Sequence, residues 1–298
     1  METLLFFHVP RGPRLAYAEF GDPAGFPVFV AHGWPGSRLQ LRFADEKARA
    51  RGLRLIGIDR PGIGRSDPQP GRQFTDFPPL VAALADHLGL GQFAVIGESG
   101  GGPYTVAMAA TLPERITRAA VICGAPPLAD FDDWSELFWV FRFLLHVRKY
   151  ARWAEVGLIW AGKLFLAALP GSWPLRVTLW SVPKADRRVI GREPEATYIT
   201  ETNREAYRRP RGVVEDGNLY LEPWGIDYAA IRVPMAFWHG ALDRTLPIGM
   251  TRWLAEQIPG AEFHARPDDG HYSIPIHAID EVLDWVAAGK PDNPTASG

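Results

Sequence analysis

Short apolar runs alternate along most of the chain with segments whose apolar residues fall at helical spacing. The runs have the length of buried strands, and stretches rich in Gly, Pro and polar residues separate them from the helical segments. The pattern predicts strands over residues 4–9, 15–20, 27–31, 53–58, 93–96, 119–123, 233–239 and 262–265, and helices over residues 38–51, 77–88, 103–112, 249–257 and 278–287. The first two strands are expected to pair as a hairpin. The alternation that follows predicts a mostly parallel sheet with helices on both faces, an α/β fold.

The alternation stops between residues 125 and 211, where the composition changes. This segment has long apolar stretches without strand-like alternation, and it contains six tryptophans: Trp134, Trp139, Trp153, Trp160, Trp173 and Trp180. We expect a helical cap here, inserted into a core domain that is formed by residues 1–124 and 212–298.

The apolar stretches of the cap raise the question of a membrane. Charged residues interrupt them well short of the roughly 20 apolar residues that a spanning helix needs, so we expect no transmembrane segment. Aromatic and basic side chains on one helix are also typical of a segment that lies on a membrane surface. We favour a cap that packs on the core, because such helices need the same kind of apolar face, and we keep peripheral membrane contact as the alternative.

Composition limits the range of partners and compartments. The chain has 298 residues, a net charge of −2, 47% hydrophobic and 22% charged residues, which are ordinary values for a globular protein. Since no basic run is present, nucleic acid is not an expected partner. Cys123 is the single cysteine and cannot form a disulfide within the chain, and the first residues do not resemble a secretory signal. We therefore expect a cytoplasmic protein.

Ser99 lies in the string Gly-Glu-Ser-Gly-Gly over residues 97–101, between an expected strand and an expected helix. A sharp turn from strand to helix strains the backbone of its central residue, and small residues two positions before and after leave room for that turn. The serine hydroxyl is then presented to a ligand. The string alone could arise by chance in a chain with 30 glycines, but the strand before it and the helix after it favour a catalytic nucleophile.

A serine hydroxyl needs a base to accept its proton and an acid to orient that base. Asp243 follows the strand at 233–239 and His271 follows the strand at 262–265, which gives the chain order Ser, Asp, His that is typical of α/β-hydrolase triads. Three such residues, each expected at the carboxyl end of a strand, predict a triad of Ser99, Asp243 and His271. Less favoured candidates for the base are His277, His239 and His264.

Acyl transfer also needs two backbone N–H groups that face the developing oxyanion. We expect the amides of Gly100, after the nucleophile, and of Trp34, in the loop His-Gly-Trp-Pro at 32–35, to supply them. Whether Pro35 follows a cis bond is left open by the sequence. We expect the substrate pocket to be lined by Trp34, Glu98, Trp134 and Trp139.

With these motifs, the chain resembles the α/β-hydrolase superfamily, in the branch that carries a cap. The resemblance runs from residue 4 to residue 287 apart from the insertion, and its further motifs are residues 59–66 (Asp-Arg-Pro-Gly-Ile-Gly-Arg-Ser), 240–243 and 270–271. By resemblance, the motif at 59–66 is a structural loop that borders the site. The branch includes epoxide hydrolases, haloalkane dehalogenases, proline iminopeptidases and small esterases.

Two departures from these relatives narrow the expected chemistry. Epoxide hydrolases and dehalogenases carry an aspartate where this chain has Ser99. Proline iminopeptidases usually carry Trp after the serine, where this chain has Gly100, and hold the substrate amine with acidic cap residues, for which Glu201 and Glu205 are candidates. Glu98 beside the nucleophile is unusual and has no assigned role.

The resulting expectation is a metal-independent serine hydrolase that cleaves a small, apolar ester or related acyl compound through an acyl enzyme. The motifs imply no cofactor, and the small-molecule acyl substrate is the expected partner. The same triad could instead serve carbon-carbon bond hydrolysis, aminopeptidase activity or acyl transfer. A non-catalytic receptor for small molecules is the alternative from another class.

Overall fold

Within residues 4–177 and 182–291, which the computed structural model of the protein describes, the strands form one eight-stranded sheet. The strands are β1 (Leu5–His8), β2 (Arg14–Gly21), β3 (Phe26–Ala31), β4 (Leu53–Ile58), β5 (Phe93–Glu98), β6 (Ile116–Ile122), β7 (Met235–Gly240) and β8 (Glu262–Arg266). Their order across the sheet is β1-β2-β4-β3-β5-β6-β7-β8. β2 runs antiparallel to β1 and β4, and the other neighbouring pairs are parallel. The expected hairpin and mostly parallel sheet are confirmed.

The two faces of the sheet are buried in separate hydrophobic clusters. Alternate residues of a strand point to opposite faces, so Phe29 and Val95 pack in one cluster while Val28 and Ile96 pack in the other. Helices cover both faces: α1 (Asp45–Ala50), α2 (Phe77–His87), α3 (Gly102–Thr111), α10 (Ile248–Glu256) and α11 (Ile274–Ala287). The sheet is therefore a rigid central layer on which loops can be positioned accurately.

The carboxyl ends of the parallel strands meet at one edge of the sheet. Residues expected to carry the chemistry follow these ends directly: Trp34 follows β3, Ser99 follows β5, Asp243 follows β7 and His271 follows β8. The topology thus places four separate segments of the chain at one site.

Two helices begin four or more residues away from the expected position, and the other expected helix boundaries agree to within one residue. The helix expected from residue 38 begins only at Asp45, after a 3₁₀ turn at Arg42–Ala44. The Arg38 amide instead donates to Asp59 Oδ1 over 2.7 Å, which holds this part of the chain against a neighbouring loop. α11 begins at Ile274, four residues early, because Pro275 fits the first turn, where its missing N–H has no intrahelical partner to lose.

Regular structure in the described part of the cap is helical. Its helices are α4 (Trp139–Tyr150), α5 (Arg152–Ala168), α6 (Trp173–Arg176), α7 (Lys184–Ile190), α8 (Glu195–Ala206) and α9 (Pro210–Leu219). α9 crosses the expected cap boundary at residue 211, and its Val213 and Val214 pack with Ile159 of α5. The division at 125–211 thus remains a proposal. Trp180 lies outside the described residues.

The length of the helices and the exposed side chains of the cap are relevant to whether the protein meets a membrane. None of the helices in the described ranges is both long and apolar enough to cross a bilayer. α4 and α5 expose large aromatic side chains, including Trp139, Trp153 and Trp160. Peripheral membrane contact through these helices stays the less favoured alternative.

Candidate active site

Ser99 lies at a sharp turn between β5 and α3. Its φ is 52°, in the left-handed region that side chains other than glycine rarely adopt. The turn is so tight that a Cβ on Gly97 would lie 2.2 Å from Thr105 Oγ1, and a Cβ on Gly101 would lie 1.9 Å from the Ala31 carbonyl oxygen. Glycine is therefore required on both sides of the strained serine.

His271 connects Ser99 to a buried carboxylate. Ser99 Oγ lies 3.0 Å from His271 Nε2, and His271 Nδ1 lies 2.8 Å from Asp243 Oδ2. The other oxygen, Asp243 Oδ1, accepts the amide N–H groups of Thr245 at 2.7 Å and Leu246 at 2.9 Å. These bonds fix the carboxylate so that it orients the imidazole. The arrangement can move a proton from Ser99 to His271.

Asp243 and His271 stabilise each other's charged form. Burial alone would raise the pKa of the Asp243 carboxyl, but the charge of His271 and hydrogen bonds from His239 and His271 hold it well below its ordinary value. Burial alone would lower the pKa of His271, but the Asp243 carboxylate raises it well above its ordinary value. An imidazole that has accepted a proton is therefore favoured at this position.

Two of the less favoured candidates for the base, His239 and His277, form hydrogen bonds away from Ser99. His239 is buried in β7, with Nε2 3.0 Å from the Leu246 oxygen. His277 lies inside α11, where its Nδ1 is 2.6 Å from Asp269 Oδ1. Of these three histidines, the structure brings only His271 to the serine.

Gly100, the residue after Ser99, lies close to the Trp34 amide nitrogen. A Cβ on Gly100 would be 2.9 Å from the Trp34 nitrogen. In a planar trans peptide the N–H points opposite to the C=O, so an anchored carbonyl fixes the direction of the next amide. The Ser99 carbonyl accepts from the Ala125 amide at 2.9 Å, and the Gly33 carbonyl accepts from Arg60 Nη2 at 3.1 Å. The Trp34–Pro35 bond is cis.

Arg60, which anchors the Gly33 carbonyl, belongs to a buried network of charged and polar side chains. Arg60 also donates to the His32 carbonyl and forms an ion pair with Asp216 of α9 at 2.6 Å. Arg72 and the Tyr104 hydroxyl donate to the same carboxylate. Burial alone would raise the pKa of Asp216, but the charges of Arg60 and Arg72 lower it to about 2.

Tyr220, which follows α9, links this network to the turn. Its hydroxyl donates to the Gly100 carbonyl at 2.7 Å and lies 3.5 Å from Arg60 Nη2. Sequence reasoning missed both Tyr220 and Asp216. Their partners lie more than 100 residues away in the chain, so no local spacing marks them.

Ser99 and His271 open into a cavity of about 110 Å³ between the sheet edge and the cap. The cap contributes Phe141, Tyr198 and Ile199 to its lining. A second, largely apolar recess of about 60 Å³ shares Trp34 and Phe141 with this cavity. The site therefore offers a small reaction space with a largely apolar recess on the other side of Trp34 and Phe141.

Of the four residues expected in the pocket, Trp34 and Glu98 line the cavity with Ser99, and Trp134 and Trp139 do not. The Trp134 indole donates to the Leu128 carbonyl at 3.1 Å and lies beside a different cavity. Trp139 stands at the first turn of α4 with about half of its surface exposed. The composition of the cap identified aromatic side chains without showing which of them face inward.

A sequence model of the alpha/beta hydrolase fold family matches residues 27–278. The chain belongs to this family. The expected fold and the expectation of an α/β-hydrolase enzyme are thereby confirmed.

Known proteins with similar sequences have several activities. The chain is 34% identical over 153 residues to a non-heme chloroperoxidase from Streptomyces lividans, and the alignment covers 49% of this chain and 55% of that protein. It is 26% identical over 260 residues to a pimeloyl-[acyl-carrier protein] methyl ester esterase from Chromobacterium violaceum. This alignment covers 87% of this chain and 92% of that protein.

The fold also resembles that of solved structures. An alpha/beta hydrolase fold protein from Nakamurella multipartita superimposes with a TM-score of 0.67 at 24% identity, over 97% of this chain and 100% of that chain. At 24% identity, this similarity shows a shared fold and nothing about the reaction.

The two cap glutamates that were candidates for holding a substrate amine are both paired with arginines. Glu201 pairs with Arg42, and Glu205 pairs with Arg38 at 2.8 Å and with Arg65 at 2.8 Å. Both cap glutamates are thus held by arginines, and neither lines the cavity with Ser99.

The described residues, 4–177 and 182–291, contain no cluster of three or more His, Cys, Asp or Glu side chains that could hold a metal ion.

Proposed function

We propose that this α/β-hydrolase is a serine esterase that cleaves a small carboxylic ester through an acyl enzyme. The observation that carries the proposal is the hydrogen-bonded series Ser99, His271 and Asp243, with Ser99 on a strained turn that opens into a cavity. A hydroxyl, a base and an orienting acid at these distances are the parts that nucleophilic acyl transfer requires.

In the first half of the reaction, Ser99 Oγ attacks the ester carbonyl carbon while its proton passes to His271 Nε2. The tetrahedral intermediate then loses the alcohol, to which His271 returns the proton, and the acyl group stays on Ser99. In the second half, His271 takes a proton from water, whose oxygen attacks the acyl carbon. The Oγ–carbon bond breaks, His271 returns the proton to Ser99, and the acid leaves.

The Gly100 and Trp34 amides would stabilise the oxyanion in both halves. Their positions beside Ser99 and the anchoring of the two preceding carbonyls support this role. Amides that already point at the developing charge need no reorganisation during the reaction. Asp243 would keep the imidazole oriented and offset its positive charge.

The size and lining of the site support a small acyl group. A volume of about 110 Å³ is well below the roughly 300–1,000 Å³ of pockets that hold drug-sized ligands. The recess behind Trp34 and Phe141 is lined largely by leucines, so an apolar group of the substrate could extend into it. A relative that aligns over most of both chains is named a methyl ester esterase, which is consistent with ester cleavage.

The proposal is tested by turnover of p-nitrophenyl butyrate by the wild type and by Ser99→Ala. We expect the variant to lose activity by about 10⁴-fold or more, because both halves of the reaction pass through Oγ. Ser135→Ala, which removes an exposed serine hydroxyl in the cap, is the matched control and should keep wild-type activity. Undiminished turnover by a folded Ser99→Ala protein would refute the proposal.

A further inference from the structure

Glu98 is a carboxylic acid in the wall of the reaction cavity. It is the last residue of β5 and directly precedes Ser99, and it lines the same cavity as Ser99 and His271. Only 8% of its surface is exposed. A buried carboxyl is costly unless its oxygens find hydrogen-bond donors, so its partners need to be identified.

One of its two oxygens is satisfied within the protein. Gln40 Nε2 donates to Glu98 Oε1 at 2.7 Å. The other end of the same amide, Gln40 Oε1, accepts the Gly33 N–H at 3.1 Å, which fixes the orientation of the amide. Glu98 Oε1 is therefore an acceptor that is already in use.

The second oxygen is not satisfied. Glu98 Oε2 is buried and has no hydrogen-bond partner among the residues that the structure describes. Burial raises the pKa of Glu98 to about 7, against smaller opposite effects of Gln40 and His271. Above that pH the carboxyl is ionised, and Oε2 is an acceptor with no donor among the described residues.

The cap glutamates do not compete for the same task. Glu201 and Glu205 are paired with arginines and lie outside the lining of this cavity. Of these three carboxylates, Glu98 is the one that lines the cavity with Ser99.

We propose that Glu98 is a specificity-determining residue, whose Oε2 accepts a hydrogen bond from a hydroxyl or amino group of the substrate. The substrate class is then a small ester that carries such a donor a few bonds from its carbonyl carbon, because Glu98 and Ser99 line the same cavity of about 110 Å³. This inference rests on the proposed esterase function. The small cavity favours acyl groups about the size of a butyryl group.

The test compares esters that differ only in the donor. At pH 8, kcat/KM is measured for methyl butyrate, methyl 2-hydroxybutyrate, methyl 3-hydroxybutyrate and methyl 3-aminobutyrate by titration of the released acid. We expect the wild type to prefer at least one donor-bearing ester over methyl butyrate by about 10-fold or more, the range of a hydrogen bond to a charged group. The hydroxy and amino esters show which donor is recognised.

Glu98→Gln is the decisive variant because it keeps the shape and the acceptor for Gln40 while it replaces Oε2 by an N–H donor. We expect its preference for the donor-bearing ester to fall to about 1, the value for no discrimination. Glu201→Gln removes a carboxylate outside the cavity and should keep the wild-type preference. A Glu98 that only supports Gln40 and the Gly33 loop would change all four esters alike.

Two results would overturn the inference. One is a wild type that cleaves methyl butyrate as well as every donor-bearing ester, a result that does not depend on any variant folding. The other is a Glu98→Gln protein that keeps the preference. Failure of the wild type to cleave any of the four esters would instead contradict the esterase function on which the inference rests.

Discussion

Arg60 Nη2 donates a hydrogen bond to the backbone oxygen of Gly33 over 3.1 Å. That carbonyl belongs to the same peptide unit as the Trp34 N–H, so the guanidinium sets the direction of the amide from the opposite side. Asp216 of α9 holds Arg60 in turn, at 2.6 Å. A helix at the end of the cap thus contributes to the position of a proposed oxyanion donor without touching it.

Arg60→Met should reduce kcat with little change in KM. The loss is expected at about 10- to 100-fold, somewhat less than removal of a whole oxyanion donor, because the Trp34 amide is misaligned but still present. The measurement is steady-state hydrolysis of p-nitrophenyl butyrate by protein whose folding has been checked by circular dichroism.

Arg72→Met provides the matched control for this prediction. Arg72 donates to the same Asp216 carboxylate and, at 3.4 Å, to Tyr104, both within the buried network beneath the amides. If Arg60 acts only by balancing the buried charge, both variants lose kcat equally, and the positioning role is contradicted.

Asp216→Asn should lower the free energy of unfolding by about 3–5 kcal/mol at pH 7, since it leaves two buried arginines without their carboxylate. Urea unfolding of the variant and of Asp268→Asn, which changes an exposed aspartate, measures the difference. The control should be close to the wild type.

The same carboxylate predicts a pH dependence. The pKa of Asp216 is about 2 in the folded protein, against an ordinary value of 3.8. A lowered pKa stabilises the fold fully above the ordinary value, and this stabilisation is lost as the pH falls from about 4 towards about 2. The stability difference between wild type and Asp216→Asn should therefore shrink over this range. A difference that stays constant would show that the ionised carboxylate is not its source.

The local features of the site were predictable from the sequence. The strand before Ser99, the helix after it and the two small residues beside it lie within about 20 positions of one another, a range over which pattern and turn chemistry determine the backbone. The positions of Asp243 and His271 followed from the same reasoning, because parallel strands bring their carboxyl ends together.

The long-range features could not be predicted in this way. Arg38 falls at a helical position in the pattern, yet its amide bonds to Asp59 in another loop. Nothing in the sequence distinguishes Asp216 from an ordinary polar residue of a helix. Its partners Arg60 and Arg72 are distant in the chain, and only the fold brings them to it. Which cap aromatics reach the cavity depends on how each helix is rotated, and this left Trp134 and Trp139 outside it.

Asp243→Asn should lower kcat for p-nitrophenyl butyrate by about 10⁴-fold, because an amide no longer holds the imidazole in the tautomer that accepts the serine proton. Asp268→Asn, close to His271 in the chain but exposed, should have little effect. A loss below about 10-fold in the folded Asp243→Asn protein would mean that another group orients the base.

The residual activity of Asp243→Asn should also have a shifted pH profile. The Asp243 carboxylate raises the pKa of His271 above its ordinary value of 6.5, and the base must be neutral to act. Wild-type activity should therefore fall as the pH drops through a value above 6.5. In the variant this acidic limb should move to lower pH, and an unchanged limb would show that His271 is not the titrating group.

Covalent labelling of Ser99 tests the central claim most directly. A fluorophosphonate probe reacts with a serine that has been activated as a nucleophile, and mass spectrometry of the digested protein locates the adduct. We predict one adduct per chain, on the peptide that contains Ser99, with a parallel loss of esterase activity and no adduct in Ser99→Ala. Folded wild-type protein that takes up no probe, or takes it up at another residue while Ser99 stays unmodified, would contradict the account.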